Sequence, residues 1–305
     1  MDIKIAKYYN NAKSAFSFTF DDGCYKDSTL ETVRIFKDIE KEFGVKIKGT
    51  SAQTVNFLHE DLISMWKEII KEGYYDISSH SITHCVCYHE DTDIELRRKE
   101  AKDSKEALEA IYGVPVITFF TPGGGITHEG CEVLNEYYYA NRSNAEYINN
   151  PDNLDYMYIG TYVSRFEHTD VKPFADYLDS VYENEGWGVQ MNHWISIKES
   201  DVFHSQRANV FEDECRYAAK LASEGKMWIA SFNDAIKYFK KRDNTKIKYE
   251  ETPDGVSIET ECSLPKDIFD IPLTLVIKSD TPLKITVNGK TDTYPSVNGE
   301  IVVSE

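Results

Sequence analysis

Short strand-like runs alternate with charged helical stretches along residues 1–244, and this alternation limits the possible folds most strongly. The strand-like runs are rich in β-branched and aromatic residues, as in AFSFTF at 15–20 and WGVQMN at 187–192. Between them, stretches such as DSTLETVRIFKDIEKEF place apolar residues at helical spacing, with glycine near several predicted helix ends. Seven or eight such alternations predict an α/β fold: a distorted parallel (β/α) barrel of about seven strands.

The sequence pattern changes after residue 244. Residues 245–305 contain short strand-like runs and no helical pattern, with turn residues at Pro253-Asp254-Gly255 and at Asn288-Gly289 that predict two hairpins. We therefore predict two domains. The barrel would occupy residues 1–244, and a small all-β, sandwich-like domain would occupy residues 245–305.

The charge balance argues against one class of partner. Lys and Arg total 34 against 52 Asp and Glu, which gives a formal net charge of −18. An acidic surface repels the phosphate backbone, so nucleic acid is not expected as a partner. No run approaches the roughly 18 apolar residues that a membrane span needs, and the stretch MDIKIAKYYNNAK lacks the apolar core of a secretory signal. We expect a soluble protein, cytoplasmic or secreted with its signal already removed.

The cysteines are scattered along a chain that is too large to need disulfides for its stability. The six are expected to be free thiols: Cys24, Cys85, Cys87, Cys131, Cys215 and Cys262.

Two adjacent carboxylates, Asp21 and Asp22, follow the strand-like run AFSFTF and precede Gly23. Neighbouring like charges repel and resist shared burial, so such a pair is either a solvated turn or a site that a positive group occupies. In an α/β barrel the catalytic groups lie at the C-terminal ends of the strands, which is where this pair is predicted. The choice between turn and site depends on what else the chain brings there.

A second cluster, SSHSITHCVCYHE, follows another predicted strand and contains His80 and His84. Two imidazoles four residues apart share a face if the turn is helical, and they can then bind one cation. Two histidines with one carboxylate leave positions open for water and substrate, which is typical of a catalytic metal site. Both clusters lie at predicted strand ends of one barrel, which favours a site over a turn.

These two motifs resemble those of the polysaccharide deacetylase family, the NodB-homology group of carbohydrate esterases. The family's Thr-Phe-Asp-Asp-Gly motif is matched in full by residues 19–23, and its His-Ser/Thr-x-x-His motif by residues 80–84. The resemblance covers about residues 10–240 and leaves the β-rich tail outside. It implies a metal-dependent hydrolase that removes acetyl groups from a carbohydrate polymer or oligosaccharide.

The resemblance also implies a role for each matched residue. Asp21 would be the general base that takes a proton from the attacking water. The metal ligands would be Asp22, His80 and His84. This set suits one divalent transition metal ion, and Zn²⁺ is the ion expected. The cation would neutralise Asp22 and leave Asp21 ionised beside a water whose pKa the metal lowers.

The family's third motif, Arg-x-Pro-Tyr/Phe-Gly, is matched only in part by residues 120–124. Pro122 and the final glycine agree, whereas Phe120 stands where the family has an arginine that orients the base. The resemblance still implies substrate binding at Pro122 and Gly123, because the backbone N–H of Gly123 can serve the oxyanion without any particular side chain.

Two arginines near predicted strand ends, Arg142 and Arg165, are candidates for the missing guanidinium. Without a firm partner, Asp21 would be oriented less well than in the family. An ester tolerates this better than an amide, because an amine leaves only after it is protonated. We therefore predict that O-acetyl substrates are favoured over N-acetyl substrates.

The family's fifth motif places a histidine after an apolar strand, and His193 follows GWGVQMN in this way. The resemblance implies that His193 is the general acid that protonates the leaving group. Trp194, beside it, would bind the sugar. The family's fourth motif, with Asp and Trp, has no convincing counterpart in the sequence.

Two other functions stay open. One is hydrolysis of a small amide or cyclic imide on the same scaffold, for which a closed pocket is expected instead of an open groove. The other is a carbohydrate-binding protein without catalysis, which the incomplete third motif suggests. The joint presence of Asp21 and His193 argues against the latter, because a binding protein needs neither a base nor an acid.

Overall fold

The computed structural model describes residues 1–86, 88, 93–197, 205–253 and 255–304. The chain divides into two compact units: Ser14–Asn233, and Met1–Lys13 together with Asp234–Glu305. We call them the barrel unit and the β unit. The sequence pattern places the domain boundary at residue 244, whereas the compact units divide the chain after residues 13 and 233.

The secondary structure alternates in the barrel unit and becomes all-β after the last helix. The helices are α1 (Lys26–Phe43), α2 (Glu60–Glu72), α3 (Ile94–Tyr112), α4 (His128–Asn135), α5 (Lys172–Glu183), α6 (Ala208–Ser223) and α7 (Phe232–Asp243). The strands are β1 (Ile3–Ile5), β2 (Ser14–Phe20), β3 (Gly49–Gln53), β4 (Tyr75–Ser79), β5 (Thr118–Phe120), β6 (Ala140–Glu146), β7 (Ile159–Val163), β8 (Trp187–Asn192), β9 (Trp194–Ser196), β10 (Ser205–Arg207), β11 (Met227–Ile229), β12 (Thr245–Thr252), β13 (Gly255–Cys262), β14 (Thr274–Lys278), β15 (Leu283–Val287), β16 (Lys290–Tyr294) and β17 (Glu300–Ser304).

Strands β2 to β8 form a parallel sheet in sequential order that closes on itself. Each strand pairs with the next, and β8 returns to pair with β2 in parallel register from Ala15 opposite Trp187 to Phe20 opposite Asn192. Strand β11 pairs with β2 as well, at the N-terminal end of that strand. The predicted seven-stranded parallel barrel, followed by C-terminal β sheets, is confirmed.

Strand β2 shows why its sequence alternates. Phe18 packs against Phe36 of α1 and Phe211 of α6, with ring centroids 6.0 and 5.6 Å apart. On the opposite face of the strand, the Ser17 hydroxyl accepts the Trp187 indole N–H at 3.0 Å, and the Thr19 hydroxyl donates to a backbone carbonyl of β8. The aromatic face is buried under helices. The polar face carries Ser17 and Thr19 and continues to Asp21, which directly follows the strand.

Strand β6 has a polar sequence, ANRSNAE, with few of the apolar residues that usually mark a strand. Its first four residues are nevertheless buried, and hydrogen bonds replace apolar packing there. The Asn141 amide donates to the Met157 carbonyl at 3.0 Å, and the Ser143 hydroxyl donates to the Ile159 carbonyl at 3.0 Å. This polar strand carries Arg142.

The β unit contains two small sheets, in the orders β1-β14-β17 and β12-β13-β15-β16. Strands β15 and β16 form the predicted hairpin, in which Asn288 and Gly289 have φ of 48° and 85° as an Asn-Gly turn requires. The other predicted hairpin joins β12 to β13, and its Asp254 lies outside the described residues. The two sheets share an aliphatic core: Val256, Ile258, Leu275, Ile277, Ile285, Val287, Ile301 and Val303.

Five cysteines are free thiols in the described ranges, whereas Cys87 lies outside them: Cys24, Cys85, Cys131, Cys215 and Cys262. In the same ranges, every helix is too short or too polar to cross a membrane.

Candidate active site

The predicted site residues come together at the C-terminal ends of the barrel strands. Asp21 and Asp22 directly follow β2, His80 directly follows β4, and His193 directly follows β8. A parallel barrel brings these strand ends to one edge, so residues far apart in the sequence become neighbours.

Asp22, His80 and His84, which we call the ligand cluster, offer three ligand atoms that all lie within 4.8 Å of one another. Asp22 Oδ1 lies 3.7 Å from His80 Nε2 and 3.5 Å from His84 Nε2. Donor atoms about 2.1 Å from a tetrahedral zinc ion are separated by roughly 3.4 Å, so this spacing fits a single ion. Asp22 Oδ1 is also buried without a hydrogen-bond partner among the described residues, which fits an atom that a cation would satisfy.

The ring of His80 is oriented by a backbone carbonyl. Its Nδ1 lies 2.8 Å from the carbonyl oxygen of Phe120, which can only accept, so Nδ1 carries the proton and Nε2 keeps its lone pair toward Asp22. Burial lowers the pKa of His80, while the nearby Asp21 and Asp22 act to raise it, and the net direction is downward. His80 is therefore neutral, as a metal ligand must be.

The turn after β2 holds the two carboxylates apart. Asp22 and Gly23 both have φ of 71°, and a Cβ on Gly23 would lie 2.6 Å from the Gln53 side chain, so only glycine fits there. The Trp66 indole N–H donates to the Gly23 carbonyl at 2.9 Å and fixes the turn. As a result, adjacent residues Asp21 and Asp22 have different partners.

The partner of Asp21 is Arg142, and both side chains are buried. Arg142 Nη2 donates to Asp21 Oδ2 at 2.7 Å, and Nη1 donates to the Thr19 hydroxyl at 3.3 Å. Burial acts to raise the pKa of Asp21, the positive guanidinium of Arg142 acts to lower it, and the net direction is downward. Asp21 is therefore ionised, and its Oδ1 has no hydrogen-bond partner among the described residues.

Phe120, which stands where the family's third motif has arginine, lies directly beside Arg142 in the sheet. The two residues are opposite each other in the parallel register of β5 and β6, and the guanidinium lies 4.4 Å from the centroid of the Phe120 ring. Arg165, the other candidate, instead forms a solvent-exposed ion pair with Glu146 at 2.8 Å. Of the two arginines considered from the sequence, the structure brings Arg142 to Asp21.

His193 and Trp194 lie on the β2 side of the site. His193 lines the same small cavity as Asp21, and Trp194 packs against Tyr25 with ring centroids 4.7 Å apart. Trp194 and Tyr25 also line a pocket of about 410 Å³ between the start of α1 and strand β9. Trp194 is thus placed where it can contact a ligand.

Pro122 and Gly123 form a turn directly after β5, closed by a hydrogen bond from the Gly124 N–H to the Thr121 carbonyl at 2.8 Å. Pro122 is buried, whereas Gly123 is exposed. The Gly123 N–H makes no hydrogen bond to any residue that the structure describes, so this donor is available.

Two aromatic residues beside the ligand cluster were not among the sequence candidates. The Tyr25 hydroxyl donates to Asp22 Oδ2 at 3.0 Å, and the Phe57 ring stacks on His84 with centroids 6.0 Å apart. Tyr25 could have been found from its position three residues after Asp22, at the start of a predicted helix. Phe57 is one of many aromatic residues in this chain, and its neighbours in the sequence do not single it out.

Residues 8–141 match the family model described as Polysaccharide deacetylase. This confirms the resemblance inferred from the Asp-Asp-Gly and His-x-x-x-His motifs, both of which lie in the matched segment. The match ends one residue before Arg142. A comparison with curated proteins finds no match.

Solved structures of similar proteins share the barrel. One, from Mycobacterium smegmatis and named as a polysaccharide deacetylase, is 15% identical with a TM-score of 0.57, over 79% of this chain and 94% of that one. A CE4 family pseudoenzyme from Bacillus anthracis is 11% identical with a TM-score of 0.51, over 75% of this chain and 66% of that one. At these identities the similarity shows the fold alone.

Proposed function

From the family match of residues 8–141 and the geometry of the site, we propose that this protein is a metal-dependent hydrolase that removes acetyl groups from a carbohydrate. The observation that carries the proposal is the Asp21 to Arg142 ion pair next to the ligand cluster. An ionised base and a metal site on adjacent residues are the two parts that hydrolysis by an activated water needs.

The ligand cluster would hold one divalent cation, and its two nitrogens and one oxygen suit Zn²⁺. When bound, such a cation lowers the pKa of a water molecule and polarises a carbonyl group. Three protein ligands leave further coordination positions for water and substrate.

Asp21 would accept the proton of the attacking water at Oδ1, the oxygen that has no hydrogen-bond partner among the described residues. Arg142 holds the other oxygen, so the carboxylate keeps one orientation while Oδ1 stays available. The same guanidinium keeps Asp21 ionised, because it lowers the carboxyl pKa against the effect of burial.

His193 would give its proton to the leaving oxygen or nitrogen as the bond to the acetyl carbon breaks. The products are then acetate and a free hydroxyl or amino group on the sugar. The backbone N–H of Gly123 would donate to the oxyanion that forms at the acetyl carbonyl during attack.

Aromatic surfaces beside the ligand cluster favour a sugar as the substrate. Tyr25 and Trp194 line the 410 Å³ pocket, and Phe57 is exposed against His84. Aromatic rings with a polar tip offer an apolar face to a sugar ring and a hydrogen bond to its hydroxyls.

The sequence-based preference for O-acetyl substrates depended on a loosely oriented Asp21. Arg142 donates to Asp21 and would orient it as Phe120 cannot, so this reason for preferring esters over amides no longer applies. The proposal therefore covers both O-acetyl and N-acetyl groups.

The test is the release of acetate by zinc-loaded and by chelator-treated protein. The substrates are acetylated xylan oligosaccharides, N-acetylglucosamine oligomers and a small cyclic imide. Acetate release from either carbohydrate, lost on chelation and restored by zinc, supports the proposal. Turnover of the imide alone would favour the small-amide alternative, and carbohydrate binding without acetate release would favour the non-catalytic one.

A further inference from the structure

Glu100 of α3 is a buried carboxylate, 5% exposed, that is not one of the predicted site residues. Its Oε2 accepts the backbone N–H groups of Ile82 and Thr83 at 2.9 and 3.0 Å, and its Oε1 accepts the Thr83 hydroxyl at 2.8 Å. All three donors belong to the four-residue step from His80 to His84. One carboxylate thus binds the middle of the loop that carries two members of the ligand cluster.

The loop needs such support because its backbone is strained. Ser81 and His84 have φ of 70° and 61°, in the left-handed region that residues with a side chain rarely adopt. On the other side of the loop, the Asn56 N–H donates to the Ile82 carbonyl at 2.9 Å. The loop is therefore held between residues 55–56 and Glu100.

The two histidines depend on this loop to different degrees. His80 is buried, and the Phe120 carbonyl fixes its ring. The His84 side chain is 34% exposed, and its ring contacts Asp22, His80 and Phe57. In the described residues no hydrogen-bond partner orients the His84 ring, so the loop backbone together with these contacts sets its position.

We propose that Glu100 is a positioning residue that sets the loop in place before the cation binds, so that His84 already presents Nε2 toward Asp22. This inference rests on the proposed metal site. Among the described residues, Glu100 has no cationic partner within ion-pair distance, so it acts through its hydrogen bonds to the loop.

Hydrogen bonding and charge can be separated by substitution. Glu100→Gln removes the charge but keeps an oxygen for the two backbone N–H groups, and its amide can donate to the Thr83 hydroxyl. Glu100→Ala removes every bond to the loop. Thr83→Val removes one bond and leaves the carboxylate in place.

The experiment measures the Zn²⁺ dissociation constant of the full chain by competition with a chromophoric chelator, with thermal unfolding of each metal-free protein alongside. Glu100→Ala is expected to weaken zinc binding by roughly 10–100-fold, as for other partners that orient ligands. Thr83→Val should weaken it by less, and Glu100→Gln should stay within about threefold of wild type because its hydrogen bonds survive. Glu109→Ala, on the same helix, is the matched control and should leave zinc affinity unchanged.

Wild-type zinc affinity in a folded Glu100→Ala protein would overturn the inference. If Glu100→Gln bound zinc as weakly as Glu100→Ala, the inference would also be overturned, because the charge of Glu100 and not its hydrogen bonds would then support zinc binding. If Glu100→Ala does not fold, Thr83→Val decides: weaker binding supports the inference, and unchanged binding contradicts it. Full zinc affinity in His84→Ala would instead contradict the proposed metal site.

Discussion

The barrel unit and the β unit bury different kinds of side chains. The two sheets of the β unit share an aliphatic core, and among the described residues this unit buries no charged side chain. The barrel unit buries charged groups, including Asp21, Arg142, Glu100 and Glu214. Burying a charged side chain costs free energy unless its partners compensate for the lost hydration. Buried charges are therefore expected where they have a function or belong to a hydrogen-bonded network. From this difference we propose that the chemistry takes place in the barrel unit and that the core of the β unit serves stability.

The largest effect is expected for Asp21→Asn. The amide is nearly isosteric but cannot accept a proton, so kcat should fall by about 10²–10⁴-fold, or ~2.7–5.5 kcal/mol, while zinc content stays at one ion. Metal analysis and initial rates of acetate release provide the measurement. Near-normal kcat in the zinc-loaded variant would remove Asp21 from the mechanism.

Ile277→Ala tests the role proposed for the β unit, because Ile277 lies in its core. Ile277 is fully buried, so the cavity should lower the free energy of unfolding by about 2–5 kcal/mol. The rate per zinc-loaded molecule should not change. Denaturant unfolding and acetate release give the two values, and Val302→Ala, at an exposed position of β17, is the control. A lower kcat for Ile277→Ala, measured under conditions where the variant is fully folded, would show that the β unit contributes to catalysis.

Glu214 should make the stability of the barrel unit depend on pH. Burial raises the pKa of this carboxyl to about 7, although Gln190 donates to it at 2.7 Å. The folded state therefore binds the Glu214 proton more tightly than the unfolded state does. Its contribution to stability is present below pH ~4.5 and is lost as pH rises to about 7, by about 3 kcal/mol in total.

The measurement for Glu214 is the free energy of unfolding between pH 4.5 and 8, in wild type and in Glu214→Gln. The variant should lack this decline, so the difference between the two proteins should change with pH. Asp213→Asn, at the exposed neighbouring position, should keep the decline, although at slightly lower pH because the Asp213 charge acts to raise the pKa of Glu214. Parallel curves for wild type and Glu214→Gln would show that the buried carboxyl does not titrate in this window.

Arg142→Gln should lower kcat by about 10²-fold, or ~2.7 kcal/mol, because a misoriented base loses much of its efficiency. Arg165→Gln is the matched control, since that arginine pairs with Glu146 at the surface, and it should leave the rate unchanged.

A double exchange sharpens this prediction. Phe120→Arg with Arg142→Phe returns the arginine to the family's position on the adjacent strand, and it should recover activity to within about tenfold of wild type. The initial rate of acetate release is again the measurement. Equal losses in Arg142→Gln and Arg165→Gln would show that the ion pair with Asp21 has no special role.

The strands that could be predicted from the sequence are those that pack against apolar partners. Strand β2 alternates because its phenylalanines lie under α1 and α6, and this alternation is visible in the sequence. Strand β6 is buried through hydrogen bonds of Asn141 and Ser143 to the backbone of a neighbouring segment, and no local pattern shows this. Sequence periodicity reports apolar burial and does not report polar burial.

The same limit explains which site residues could be found. Asp21, Asp22, His80 and His84 lie in local motifs with fixed spacing, so they were recognisable. The choice of Arg142 over Arg165 depends on the register of β5 against β6, which places Arg142 opposite Phe120. Glu100 contacts the loop between His80 and His84 from the next helix, α3, and local sequence spacing does not reveal such tertiary contacts.

The most direct test of the central claim is an anomalous-difference map at the zinc absorption edge, from a crystal of the zinc-loaded protein. We predict one strong peak between Asp22 Oδ1, His80 Nε2 and His84 Nε2, with Asp21 still bound to Arg142 beside it. A peak bounded by other side chains, or no peak in a protein that holds one zinc ion in solution, would contradict the account.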